Sequence, residues 1–103
     1  MNVVDVRGAA AELPDAWKSS LLGRVGPTGV KVLRMDGRPL AAEVHDSAEA
    51  LWVVDGVLRL VVDGAEVDVR ADEMCVVEAG VEHAVRAGSR GTLVIVEQVP
   101  HAL

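Results

Sequence analysis

The sequence contains no phenylalanine and no tyrosine, and its only aromatic side chains are two tryptophans. A pocket formed by this chain would therefore offer few ring faces on which a sugar or a nucleobase could stack. Basic residues are also scarce, because 10 lysines and arginines stand against 16 aspartates and glutamates, a formal net charge of −6. With no basic stripe to neutralise phosphates, nucleic acid and anionic membranes are not expected partners.

Cys75 is the only cysteine, which excludes an intramolecular disulfide and a paired-cysteine zinc motif. Glycines and charged residues interrupt every apolar run well below membrane-spanning length. The first seven residues lack the basic and apolar regions of a secretory signal. We therefore predict a cytoplasmic protein, and we interpret Cys75 as a small buried hydrophobic residue. The ratio of eight arginines to two lysines suggests a bacterial genome rich in G and C.

Valine is what the sequence has in abundance, with 21 valines against 10 leucines and one isoleucine. Valine is stiff at its first side-chain torsion and packs well on a pleated surface, so this bias favours strands over helices. Strands this short, with frequent turns, indicate an all-β antiparallel sandwich or barrel. The apolar segments that predict strands cover residues 30–35, 51–54, 57–62, 65–70, 74–77, 81–85 and 92–99.

The turns and the N-terminal region complete this prediction. Asp-Gly pairs at 36–37, 55–56 and 63–64 predict tight turns, because both residue types tolerate positive φ. Between Gly8 and Leu22 we expect only one or two short helical turns, since Pro14 interrupts a longer helix, with Trp17 as an anchor against the barrel. Residues 23–29 are expected to form a loop.

Two histidines and two glutamates are the candidate metal ligands. If the segment is extended, Glu43 and His45 project from one face about 7 Å apart. Glu49 follows four residues after His45, and His83 shares its parity with core-type valines. Two imidazoles with one or two carboxylates suit Fe(II), Mn(II), Ni(II) or Zn(II). His101, one of the last three residues of the sequence, is expected to be a frayed, non-functional residue.

The first half of this site resembles the first motif of the cupin superfamily, Gly-x5-His-x-His-x3,4-Glu-x6-Gly. All the spacings hold in Gly37-x5-Glu43-x-His45-x3-Glu49-x6-Gly56. The departure is Glu43, which stands where the family has its first metal-binding histidine. It would convert a site of three histidines and one carboxylate into one of two histidines and two carboxylates, or leave Glu43 free as an acid or base.

The second half resembles the second cupin motif, Gly-x5-Pro-x-Gly-x2-His-x3-Asn. Here the sequence reads Asp72-x5-Glu78-x-Gly80-x2-His83, with Ala87 where asparagine is common. These departures fall at turn or support positions and should leave the barrel intact. The motifs are separated by 57–71, a spacing found in the shortest members.

The resemblance implies a single small cupin domain over residues 1–103, an antiparallel double-stranded β-helix or jelly-roll barrel. We expect an N-terminal strand, helical turn and loop over about 1–29 and the barrel over about 30–99. Carried over by position, the resemblance implies that His45, Glu49 and His83 bind one divalent metal ion. Glu43 matches by position only, either as a fourth ligand or as a catalytic acid or base. The resemblance also implies a homodimer.

Two classes of function remain open at this point. The first is a metal-dependent isomerase, cyclase or oxygenase that acts on a small polar or carbonyl-bearing molecule. The second is a non-catalytic module that binds a small molecule or a metal ion, since this architecture hosts many activities and none. Histidines without any metal, in a polar pocket or a purely structural role, are a further alternative. Trp52 has the opposite parity to Glu49 and should face away from the cavity, where it could contact a second copy.

Overall fold

A computed structural model describes residues 2–99, and within that range it contains one helix and eight strands. The elements follow the predicted alternation of short strands and turns. In chain order they are α1 (Val6–Ala11), β1 (Ser20–Val25), β2 (Thr28–Asp36), β3 (Leu40–Glu43), β4 (Glu49–Val62), β5 (Ala65–Arg70), β6 (Met74–Val77), β7 (His83–Val85) and β8 (Arg90–Gln98).

The strands form an antiparallel jelly-roll barrel, which confirms the predicted fold. Neighbouring strands run in the order β1-β2-β8-β4-β7-β3, and β5 and β6 also pair with β4. The crossovers place strands that are distant in sequence beside each other, as β2 lies beside β8 and β3 beside β7. The second of these pairings brings the two halves of the predicted site together.

Alternation along the strands separates two apolar clusters. Leu33 pairs with Leu93 and faces the main core inside the barrel, while the adjacent Val32 and Val94 face the opposite side of the sheet. On that outer side Ala10 of α1 packs against Val32 and Val94. The helix therefore covers one patch of the outer sheet surface. Among residues 2–99, no helix has the length and apolar character needed to cross a lipid bilayer.

The turn predicted at Asp55-Gly56 is wrong, because β4 continues through these residues as one 14-residue strand. The strand bends there, and its register with β8 shifts between Val53 and Asp55. Gly56 has a φ of +81°, and a Cβ on it would lie 1.9 Å from the Arg90 carbonyl oxygen. The backbones of β4 and β8 thus approach too closely for any side chain. The tolerance of Asp-Gly for positive φ serves a bend here, and the chain does not reverse.

The other two Asp-Gly pairs also differ from each other. Asp63 and Gly64 have φ values of +48° and +78° and join Val62 to Ala65, which confirms a two-residue hairpin between β4 and β5. Gly37, at a φ of +94°, instead follows the end of β2 at a corner. The chain then leads to β3, which pairs with β7 and not with β2. The hairpin thus has positive φ at both residues, whereas at the corner only the glycine has it.

The N-terminal region departs from the prediction in three ways. Residues 2–5 form no strand. The helix begins at Val6, because the Asp5 side chain caps it by accepting a hydrogen bond of 3.1 Å from the Gly8 N–H. The helix ends at Ala11, before Pro14, as expected. The loop predicted over 23–29 is wrong, since β1 and the start of β2 form a hairpin there. Its turn is the Gly26-Pro27 pair. From the sequence alone, without knowledge of the pairing of β1 with β2, this pair indicates a loop.

Candidate metal centre

Four elements place the candidate ligands. Glu43 is the last residue of β3 and His83 the first of β7, and the two are direct cross-strand partners. Glu49 is the first residue of β4. His45 lies between β3 and β4, where its carbonyl oxygen accepts a 2.9 Å hydrogen bond from the Gly80 N–H. Each ligand therefore lies at or just beyond a strand end, on the same rim of the barrel.

The four side chains meet as two imidazole–carboxylate pairs. His83 Nε2 lies 3.2 Å from Glu49 Oε1, and His45 Nε2 lies 3.2 Å from Glu43 Oε2. The two imidazole rings are 5.1 Å apart between centroids and tilted by 51°. One ligand atom from each of Glu43, His45 and His83 lies within 4.8 Å of the other two. Glu49 stands outside that group of three and reaches it through His83.

The hydrogen bonding of His83 leaves its Nε2 available as an acceptor. His83 Nδ1 lies 3.1 Å from the Val81 carbonyl oxygen, which can only accept, so Nδ1 carries the ring proton in the neutral imidazole. The Nε2 lone pair then faces a carboxylate oxygen of Glu49 across 3.2 Å. Two acceptors at that distance in a buried site require a proton or a cation between them. This donor set fits a divalent metal ion, with the backbone orienting the ligand.

Glu49 is buried and is linked to a chain of charged groups behind it. Burial raises the pKa of Glu49, and the neighbouring carboxylate of Glu97 raises it further, against the opposing effect of the two histidines. Glu97 is the cross-strand partner of Glu49 on β8, and its Oε1 accepts a 2.7 Å contact from Lys31 Nζ. A bound cation would favour the ionised form of Glu49 over the protonated form that burial favours.

A cavity of about 200 Å³ adjoins these ligands. Glu43, His45, Glu49 and His83 all line it, and most of the remaining lining is aliphatic, from residues such as Leu58 and Leu93. The arrangement joins an apolar chamber to a cluster of metal-binding atoms. That combination is typical of small-molecule sites, in which a few polar groups orient a ligand held by apolar walls.

Two residues of this site are absent from the sequence prediction. Glu97 shares its parity with Leu93 and Ile95, so the alternation on β8 already indicates an inward carboxylate. Trp17 was expected to anchor the N-terminal segment, and it does pack against the main core, but it also lines the cavity. No periodic signal could show this, because Trp17 lies in the irregular segment between α1 and β1.

The second motif keeps its geometry despite its substitutions. Asp72, where the family pattern has glycine, has a φ of +67°, and Gly80 has a φ of +78°. Aspartate is one of the few other residues that adopts this left-handed conformation at small cost. Glu78, in place of proline, is exposed. The turn before β7 is therefore formed, and it places His83 at the site.

Comparison with known proteins identifies the family. A family model described as a cupin domain matches residues 33–99, which is more than half of the chain. The chain belongs to the cupin family. The match includes both motifs, and it begins in β2 and ends just after β8. No curated protein matches this cupin significantly.

Solved structures support the same fold for this cupin. A cupin-2 domain protein from Shewanella frigidimarina has a TM-score of 0.86 at 21% identity, covering 94% of this chain and 95% of that one. A Neisseria meningitidis protein has a TM-score of 0.82 at 22% identity, covering 95% and 100%. A Streptococcus pyogenes protein described as of unknown function has 0.78 at 20% identity, covering 98% and 90%. Identities this low establish the fold and leave the function open.

Of the two remaining candidates, Cys75 does not line the cavity. It is partly buried against the main core, and burial raises the pKa of its thiol. That agrees with its interpretation as a small hydrophobic residue. His101, predicted to be non-functional, lies outside the described residues.

Proposed function

We propose that this cupin binds one divalent metal ion through His83, Glu49 and His45, and that it catalyses an isomerisation, cyclisation or oxygenation of a small molecule in the adjoining cavity. One observation carries the proposal: two imidazole–carboxylate pairs, each 3.2 Å apart, meet at the wall of an apolar cavity. Two histidines and a carboxylate suit Fe(II), Mn(II), Ni(II) or Zn(II).

The metal-binding part rests on the buried pair. His83 and Glu49 have side-chain exposures of only 9% and 10%. Ionised carboxylates are costly to bury without a cationic partner, and no lysine or arginine of the described chain contacts Glu49. A divalent ion between these groups would supply that partner. His45 would complete the set from the rim, and its backbone is already held by Gly80.

Glu43 is proposed as the catalytic acid or base. A bound ion would supply Lewis-acid polarisation of a substrate oxygen. Glu43 lines the cavity with a side chain that is 62% exposed, so its carboxylate can contact both a bound molecule and solvent. It can therefore accept a proton from a bound molecule and return it, while His45 holds it through the 3.2 Å contact. In the alternative role Glu43 is itself a metal ligand, which is supported by the ligand atoms of Glu43, His45 and His83 lying within 4.8 Å of one another.

A second function is a non-catalytic module that holds a metabolite or a metal ion. The observation that favours it is the composition of the cavity wall. Apart from the four candidate ligands, the lining offers no acidic or basic side chain, only Ser19, Trp17 and aliphatic residues. Proton transfer would thus depend on Glu43 or on a metal ligand. Retained small-molecule affinity after chelation of the metal would favour this module over the enzyme.

Elemental analysis tests the metal-binding proposal most directly. Protein purified without an affinity column that contains metal should carry about one divalent ion per chain, or bind one in a calorimetric titration with Co(II), Ni(II) or Zn(II). The double variant His45→Ala, His83→Ala should bind none. The control is His101→Ala, which removes the remaining histidine and should leave stoichiometry unchanged. Equal metal content in the double variant and the control would refute the site.

Dimerisation and cytoplasmic location remain parts of the proposal. Trp52 and Met74 are cross-strand partners on the outer face and are 46% and 60% exposed. Apolar residues this exposed favour a contact with a second copy. Sedimentation of the wild type and of Trp52→Glu would compare the two states, and a monomeric wild type would refute the dimer. The charge of −6 supports the expectation that neither nucleic acid nor a membrane is a partner.

A further inference from the structure

Among the residues that the structure describes, no lysine or arginine contributes to the cavity wall. Sixteen of these residues line the cavity, and ten of them are alanine, valine, leucine or isoleucine. The charged lining groups are the carboxylates of Glu43 and Glu49 beside two imidazoles. A carboxylate or phosphate on the body of a ligand would thus lose its hydration without gaining a partner from this wall. The wall therefore favours ligands whose body is uncharged and aliphatic.

The cavity is also small. Its volume of about 200 Å³ is below the ~300–1,000 Å³ of pockets that hold drug-sized ligands. A ligand that fills it therefore has a short body beyond the atoms that reach the metal-binding cluster.

Trp17 forms one wall of this cavity, and it is held there by specific contacts. Its backbone N–H donates a 2.9 Å hydrogen bond to the Arg34 carbonyl oxygen, and its indole Nε1–H donates a 2.7 Å hydrogen bond to Asp36 Oδ1. Its φ of +66° lies in the left-handed region that a large side chain rarely adopts. The surrounding contacts thus hold Trp17 in a conformation that its own backbone disfavours.

The segment that carries Trp17, here called the strap (residues 12–19), is itself held against β2. Arg34 donates through its guanidinium to the carbonyl oxygen of Leu13 at 3.2 Å. Asp36, which accepts from the indole, also accepts from the backbone and the guanidinium of Arg38 at 3.1 and 2.7 Å. The indole is therefore a fixed wall. Its partners on β2, Arg34 and Asp36, pair with Thr92 and Arg90 of β8, whereas Glu49 pairs with Glu97, five to seven residues further along that strand. This register places the indole away from Glu49, where it can limit the length of a ligand.

From these observations we propose that the cavity selects a compact, uncharged ligand with an aliphatic body and one oxygen-bearing, metal-binding head, and that Trp17 determines the length of that body. This inference rests on the proposed metal site, since the head requires the ion. It assigns to Trp17 a role in specificity that differs from its packing role, because packing alone would affect stability without any dependence on ligand length.

Alkyl hydroxamates test the proposal, because their head binds divalent ions through oxygen while the tail is varied. The protein is first titrated with Co(II), and the cobalt-bound form is then titrated with acetohydroxamate and its butanoyl, hexanoyl and octanoyl homologues. We expect affinity to rise about fourfold with each added methylene until the tail reaches the indole, then to fall. A hydroxamate of matched length whose tail ends in a carboxylate should bind at least about tenfold more weakly.

Trp17→Gly removes the wall and relieves the left-handed backbone, so its optimum should move to a longer tail. The matched control is Trp52→Phe, on the outer face, which should keep the wild-type optimum. A second measurement does not depend on the folding of Trp17→Gly. In the Trp52→Phe background Trp17 is the only tryptophan, and its fluorescence should respond to the longer hydroxamates and not to acetohydroxamate.

The outcomes separate the two proposals. Absence of Co(II) binding would overturn the metal site and this inference together. Normal Co(II) binding would support the metal site. With Co(II) bound, any of three results would overturn the inference: affinity that does not depend on tail length, equal affinity for the tail that ends in a carboxylate, or Trp17 fluorescence that does not change with tail length.

Discussion

The two imidazole–carboxylate pairs have the same separation and opposite surroundings. His83 and Glu49 lie 3.2 Å apart with side-chain exposures of 9% and 10%, and His45 and Glu43 lie 3.2 Å apart with exposures of 44% and 62%. The inner pair is held by strands on both sides, whereas His45 belongs to the link between β3 and β4. The two pairs have the same nitrogen–oxygen distance and differ in the burial of their side chains.

The difference indicates a division of roles. Buried acceptors that face each other are costly unless a cation or proton joins them, so the inner pair depends strongly on a bound ion. The outer pair is exposed, so its side chains can contact a bound molecule without first being buried. We therefore expect the inner pair to hold the metal and the outer pair to influence chemistry. Three predictions test this comparison, beginning with the largest effect, and a fourth concerns the strap.

Removal of each histidine should have unequal consequences. His83→Ala should lower metal affinity by more than about 100-fold, and His45→Ala by about tenfold, because loss of supporting partners alone costs about 10–100-fold. His83→Ala also leaves Glu49 without its partner in the barrel, which should cost about 1–3 kcal/mol of unfolding free energy. Competition with a chromophoric chelator and urea unfolding measure the two quantities. Equal losses for the two variants would contradict the division of roles.

Glu49→Gln should weaken metal binding and yet stabilise the metal-free protein. The raised pKa of Glu49 shows that its environment disfavours the charged form, because of burial first and Glu97 second. A neutral amide removes that penalty, so the metal-free variant should be more stable than the metal-free wild type at neutral pH. Excess Zn(II) should raise the melting temperature of the wild type by roughly 10 °C and leave the variant unchanged. A less stable metal-free variant would show that Glu49 is well paired without metal.

Glu43→Gln is the matched change on the outer pair and should affect metal affinity least, by no more than about tenfold. It should leave stability within about 0.5 kcal/mol of the wild type, as exposed substitutions usually do. If Glu43 moves the proton, turnover of a substrate should fall by about 10²-fold or more at constant metal content. Loss of metal comparable to that in Glu49→Gln would instead make Glu43 a full ligand.

The strap should detach from β2 at low pH. At neutral pH, where the strap is attached, metal affinity should be unchanged. Hydrogen bonds from Arg38 and Trp17 lower the pKa of Asp36 from 3.8 to about 2. Because this folded-state pKa is lowered, the stabilisation is complete above about pH 4 and is lost as the pH falls towards about 2. Trp17 fluorescence in Trp52→Phe should report that transition. Asp36→Asn should abolish it, and an identical acid transition in both proteins would assign it to another group.

The alternation of apolar and polar residues predicted strand positions well where the strands are regular. The segments 65–70 and 74–77 coincide with β5 and β6, and the buried positions Leu51 and Val53 and the exposed Trp52 follow the predicted parity. The errors occur where a residue pair has several uses. Asp63-Gly64 forms a hairpin and Asp55-Gly56 a bend, although both pairs follow valine-rich segments. The close approach of β8 to Gly56 decides between them, and β8 lies more than thirty residues away in the chain.

For the candidate site, spacing predicted the four ligand positions but not their arrangement. The family motifs indicated Glu43, His45, Glu49 and His83, and the structure places all four around one cavity. The β3–β7 register places Glu43 opposite His83. His83 nevertheless contacts Glu49, and Glu43 contacts His45, so strand register alone does not determine which histidine meets which glutamate. Trp17 illustrates the limit most clearly, since its position depends on hydrogen bonds to β2 rather than on any periodicity of its own segment.

Composition and alternation by themselves determined a valine-rich antiparallel barrel, the inward face of each strand and the residue types available for a metal ion, because these depend on local sterics and on the two-residue period of a strand. The tertiary structure alone decided which carboxylate is buried, which histidine it meets and which side chain closes the cavity. Burial and long-range pairing set those features, and they arise only when strands far apart in the chain are brought into register.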